Sequence, residues 1–193
     1  MLKHTPSTST LSPEPAPATN LPVLERTLRH FVATSLQPGA SKHDVVAAVE
    51  LDPALLLTVL TFAPATIDAA ANWHEHLSLA MFRSFAIALG NTCKTTNNPR
   101  AESEWAIAVK RSLLAEELGG RAFDLDPTEF RLVALLGAVS TWSGDGSTAD
   151  DAGASLLAKA GFQAHICDAV RHQSADAPAL SGSFPLVRVN ALA

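Results

Sequence analysis

From residue 21 onward the apolar residues recur at the three- and four-residue spacing of amphipathic helices. Leu24, Leu28, Phe31, Val32 and Leu36 mark a first helix, with Asn20 as its cap and Pro22 in its first turn; Pro38-Gly39 stops it. Ser41 caps a short second helix carrying Val45, Val46 and Val49. Asp52-Pro53 opens a third, with Leu55, Leu56, Val59, Leu60 and Phe62, ended by Pro64. A helix over 78–89 closes at Gly90, and 91–100 is a polar loop. Trp105, Ile107, Val109, Leu113, Leu114 and Leu118 belong to a long helix stopped by Gly119-Gly120. Asp126-Pro127 repeats the start device and launches Phe130, Leu132, Val133, Leu135, Leu136 and Val139. After a Gly, Ser and Asp loop over 143–151, helices are expected over 152–160 and 163–173, split by Gly161. The segment 185–193 is apolar and expected to be helical, with no stop signal of its own. No stretch alternates with period two. The pattern predicts an all-α domain of about seven to nine helices.

Composition narrows the class. The chain has 193 residues, 47% of them hydrophobic and 17% charged, which suits one globular domain rather than a disordered chain. Residues 1–20 stand apart: Pro6, Pro13, Pro15 and Pro17 among Ser, Thr and Ala read as a flexible tail, leaving 21–193 as the domain. That the chain ends on Leu192-Ala193 without a cap suggests a truncated domain or a helix leading into another one. The net charge of −5 argues against nucleic acid as a partner. Cys93 and Cys167 form neither a metal-ligand spacing nor a disulfide framework, and no apolar run reaches the roughly 18 residues of a membrane span. With no apolar core of a signal peptide near the start, a cytoplasmic location is expected.

The order of elements resembles the HD-related output domain (HDOD) family, a non-catalytic bacterial signalling branch of the HD superfamily. At the front, Leu21-Pro22, the turn Pro38-Gly39-Ala40-Ser41, then Asp52-Pro53-Ala54-Leu55 and Val59-Leu60 look like the family's opening. Pro64-Ala65 stands where the family usually has Asn-Ser, and the histidine common after the aromatic at Trp105 is absent. At the rear, Gly153-Ala154 with Leu156-Leu157, then Gly161-Phe162 and Val170-Arg171-His172, are similar to its closing motifs. Between them lies Leu135-Leu136-Gly137-Ala138-Val139-Ser140, where the catalytic relatives read Leu-Leu-His-Asp-Ile-Gly. The resemblance therefore makes Gly137 and Ala138 the vestigial metal-site positions, and neither can ligate a metal.

Other residues with chemical potential are scattered. His165 and His172 lie seven apart, about 10 Å along one helix face and too far to share an ion; at least one should face solvent. Trp73-His74-Glu75-His76 lacks the His-Glu-x-x-His spacing and reads as a surface loop. His30 and His43 fall on exposed helix faces. Cys93, beside Lys94 in a polar loop, has a neighbour that lowers a thiol's pKa slightly; Cys167 reads as core. Gly144-Asp145-Gly146 belongs to a loop rather than a phosphate cradle. Arg83, Arg100, Lys110, Arg111, Arg121 and Arg131 could meet phosphates but are spread over separate helices, as solvated faces are.

No catalytic constellation, metal site or cofactor emerges, and the ligand is unknown. The expectation is a non-enzymatic regulatory or protein-interaction module of bacterial signal transduction. The resemblance implies partners of the diguanylate cyclase, phosphodiesterase or histidine kinase type and a link to cyclic-di-GMP signalling. Two rivals stand beside it: a sensor that binds a small molecule or nucleotide in the old cleft, and a metal-dependent phosphohydrolase with relocated ligands.

Overall fold

The computed structural model describes residues 21–62, 73–122, 126–142 and 149–173. The tail over 1–20, Pro64, Gly144-Asp145-Gly146 and the segment 185–193 lie outside the described residues. Among the described residues the architecture is all-α. Eight α-helices follow one another: α1 Glu25–Leu36, α2 Lys42–Val49, α3 Pro53–Phe62, α4 Leu79–Thr92, α5 Pro99–Ala122, α6 Pro127–Gly137, α7 Ala149–Lys159 and α8 Ala164–Arg171. A 3₁₀ turn, Ala138–Trp142, continues α6. No helix among the described residues is long and apolar enough to cross a membrane.

Start signals hold where a side chain can reach the orphan amides of a first turn. Ser41 and Asp44 form a reciprocal capping box on α2, and the Asp126 carboxylate accepts from the Thr128 amide at 2.9 Å ahead of Pro127. The same device opens α5 earlier than the apolar pattern suggests. Asn98 accepts from the Arg100 amide at 3.0 Å and Pro99 is the first helical residue, so the polar loop expected up to residue 100 is shorter.

Two other expectations fail for tertiary reasons. The first helix begins at Glu25, because Val23–Leu24 (β1) is drawn into a two-residue parallel pairing with Thr95–Thr96 (β2). Strands this short carry no alternation to detect. The second failure is that Gly90 does not end α4 and Gly119-Gly120 does not end α5. Gly119 is where α5 and α6 cross: a Cβ there would sit 2.2 Å from the Phe130 ring, so glycine serves the crossing rather than a stop. Gly161, by contrast, turns the chain between α7 and α8 with φ of 86°, a value that disfavours any side chain.

The core is organised around α3. Every residue from Pro53 to Leu60 is buried, the signature of a helix surrounded on all sides. Each of its fully buried leucines contributes about 1.5–3 kcal/mol of transfer free energy. Asp52, fully buried at the head of α3, joins three elements. One carboxylate oxygen accepts from the Ala54 and Leu55 amides at 2.9 and 3.1 Å, capping α3. The other accepts from the Leu24 amide at 2.8 Å and the Thr27 hydroxyl at 2.7 Å, holding β1 and α1 to it. Burial pushes this carboxyl above its ordinary pKa, and the four donors oppose that rise.

Candidate functional site

Gly137 and Ala138 sit where α6 runs into the 3₁₀ turn. α6 is buried from Leu132 to Gly137 and lies along α5. At Gly137 the α-helix ends, its carbonyl accepting from the Gln173 side chain just beyond α8 at 3.1 Å. Ala138, partly buried against the core, begins the 3₁₀ turn. α7 crosses this turn so closely that a Cβ at Gly153 would meet the Ser140 side chain at 2.0 Å and its Cα at 3.0 Å. The Gly153-Ala154 motif thus has a packing cause. Gly137 and Ala138 carry no side-chain oxygen, nitrogen or sulfur, and metal chemistry needs several converging imidazoles or carboxylates. Among the described residues no group of three or more His, Cys, Asp or Glu side chains comes together.

A cavity of about 390 Å³ opens elsewhere on α6, between α2, the Trp73–His76 turn and α6 itself. Its apolar wall includes Val46, Trp73, Leu132 and Leu135; its polar rim carries Lys42, His43, Glu50, His74 and Arg131. The lining stops at Leu135, so Gly137 and Ala138 are not part of it. Arg131 binds Glu50 at 2.7 Å and approaches Glu116 at 3.6 Å, tying α6 to α2 and α5. Lys42 donates to the Glu75 carbonyl at 3.0 Å and so fixes the turn. Trp73 is packed edge-on by His74 and Phe82. Two polar atoms in this wall, His74 Nδ1 and Arg131 Nε, are buried and find no hydrogen-bond partner among the described residues. Such atoms carry a desolvation cost that a polar ligand could relieve after a small shift of the side chains.

Sequence order separated these groups. Arg131 interrupts the apolar run that starts at Phe130, and a charge set among buried residues signals a paired one. Nothing local marked Lys42 or Glu50. His74 is half-buried in the turn while Glu75 and His76 are exposed, so the His-Glu-His cluster does not converge.

The remaining candidates are dispersed. His165 Nε2 lies 2.5 Å from Glu129, which links α8 to α6, whereas His172 is exposed beyond the end of α8. His30 and His43 are exposed as expected. Cys93 differs from expectation. It is half-buried at the end of α4, and burial, helped by the negative charge of Asp52, raises its thiol pKa rather than Lys94 lowering it. Cys167 is buried, and burial raises its pKa too. Arg100 and Arg121 form surface pairs within α5, with Glu104 at 2.7 Å and with Glu117, while Arg83 donates to the Ser35 carbonyl at 3.1 Å.

No protein-family profile matches the chain, and no curated protein does. The fold is nevertheless similar to solved structures. A fragment (20–298) of the MmoQ response regulator of Methylococcus capsulatus strain Bath superposes with a TM-score of 0.69 at 19% identity, covering 90% of this chain and 81% of that one. A second structure of the same regulator gives a TM-score of 0.63 at 18% identity, covering 89% of this chain and 92% of that one. At these identities the likeness is one of fold: an all-α arrangement shared across nearly the whole chain.

Proposed function

We propose that this chain is a catalytically silent HDOD-type module that works by protein contact in bacterial signal transduction. Its partners on this reading are other signalling domains, of the diguanylate cyclase, phosphodiesterase or histidine kinase type, in a pathway linked to cyclic-di-GMP. One observation carries the reading: where the catalytic relatives hold metal, this chain has Gly137, the last residue of α6, and Ala138, the first residue of the 3₁₀ turn. The fold shared with a protein described as a response regulator supports the signalling part. The proposal is tested by incubating the purified chain with cyclic dinucleotides and nucleoside phosphates in the presence of manganese, magnesium or iron. No turnover above a metal-only control is expected; robust metal-dependent hydrolysis would overturn it in favour of relocated ligands.

The cavity on α6 favours a second reading, a sensor for a small polar molecule. Its support is the pair of unsatisfied buried groups, His74 Nδ1 and Arg131 Nε, beside an apolar wall large enough for a small ligand. Calorimetry against a panel of cyclic dinucleotides separates the two, since a pure scaffold gives no heat, while a sensor gives heat that Arg131→Ala abolishes.

A further inference from the structure

α5 presents two regular faces. Ala101, Trp105, Ala108, Ser112, Ala115 and Gly119 are buried, and the helix lies along α6. Away from that face, Ile107, Leu114 and Leu118 are 52%, 46% and 38% exposed. At 100° per residue they fall within about 40° of one another, a narrow apolar stripe. With Glu104, Arg111 and Arg121 they continue a repeat of alternating three- and four-residue steps, the spacing of a coiled-coil seam.

We propose that this seam pairs with α5 of a second copy of the chain, in antiparallel register. The charges choose the direction. A parallel pairing sets Glu104 against Glu104, Arg111 against Arg111 and Arg121 against Arg121, three like-charge contacts. An antiparallel pairing about a twofold axis between Ser112 and Leu113 sets Glu104 of each copy opposite Arg121 of the other. In the same register Ile107 faces Leu118, and the aliphatic stem of Arg111 covers Leu114. The present partners of these end charges, Arg100 for Glu104 and Glu117 for Arg121, lie on the surface of the same helix and exchange at little cost. From Glu104 to Arg121 the seam is about 27 Å long. One helix pair of that length sits at the low end of specific interfaces, so the dimer is reversible and dissociates at micromolar concentration. The seam is a property of α5 and stands independently of whether the module is catalytically silent.

Sedimentation velocity of the full 193-residue chain from about 1 to 200 µM tests this. A concentration-dependent shift from monomer to dimer is expected, and Leu114→Glu should raise the dissociation constant about tenfold or more. Leu113→Glu is the control: Leu113 is also apolar and 50% exposed, but it lies about 100° around the helix from Leu114 and off the seam, so its variant should dimerise normally. Glu104→Arg should weaken the dimer, and combining it with Arg121→Glu should restore it, an outcome that a loss of folding cannot mimic. A chain that stays monomeric over the whole range overturns the proposal. So does a dimer indifferent to Leu114→Glu, or one equally sensitive to Leu113→Glu.

Discussion

Asp52 and the Gly137–Ala138 pair make opposite use of the protein interior. Asp52 is a fully buried carboxylate with all its hydrogen-bonding capacity engaged, and it ties β1, α1 and α3 together. At Gly137–Ala138 the side chains have no polar atom, and the surrounding polar group of note, the Gly137 carbonyl, is satisfied by Gln173. Burying a charge is tolerated only where donors surround it. The front of the domain meets that condition for structural ends. The end of α6 carries no charge and is packed as plain helix junction.

The largest test of this contrast is Asp52→Ala. It strips the Leu24, Thr27, Ala54 and Leu55 donors of their common acceptor, and should cost about 2–4 kcal/mol of unfolding free energy in a urea titration. Introducing a ligand pair, Gly137→His with Ala138→Asp, should destabilise the chain without creating an activity. Polar side chains enter a packed junction without partners, so a loss of about 2–3 kcal/mol is expected, with no gain of hydrolysis. A smaller effect, about 1–2 kcal/mol, is expected for Gly153→Ala, where the added methyl meets the Ser140 backbone as well as its side chain. A shift in thermal midpoint compared with the exposed control Gly39→Ala, which has open space but a φ of 82°, distinguishes crowding from backbone strain.

The pH dependence sharpens the contrast further. Because burial raises the Asp52 pKa, the folded chain holds that proton more tightly than the unfolded chain does. The stability this group contributes is full below the ordinary carboxylate range and is lost as pH rises through the raised folded value. Urea midpoints for the natural chain relative to Asp52→Asn should therefore decline as pH rises from the ordinary carboxylate range towards neutrality. A gap that widens with pH would show that the four donors outweigh burial.

Much of the fold was legible because its signals are local. Ser41, Asp52-Pro53 and Asp126-Pro127 mark helix starts through contacts made within three residues. Asn98-Pro99 carries the same signal but was hidden in a polar stretch. What escaped is long-range. The second oxygen of Asp52 reaches Leu24 and Thr27, more than twenty residues away, and this tether also delays the first helix. Glycine at 119 has low helix propensity, yet the crossing with Phe130 selects it within a continuous helix. The site followed the same rule. The Gly137-Ala138 pair stands in a linear motif, whereas the cavity joining Lys42, His74 and Arg131 exists only after α2, the turn and α6 pack.

Whether the chain holds a metal is read most directly by a calorimetric titration of the purified protein, stripped of metal by chelation, with manganese. No saturable binding is expected, because the end of α6 offers no ligands. One or two stoichiometric sites, retained when surface histidines His30, His43 and His172 are replaced by alanine, would contradict it.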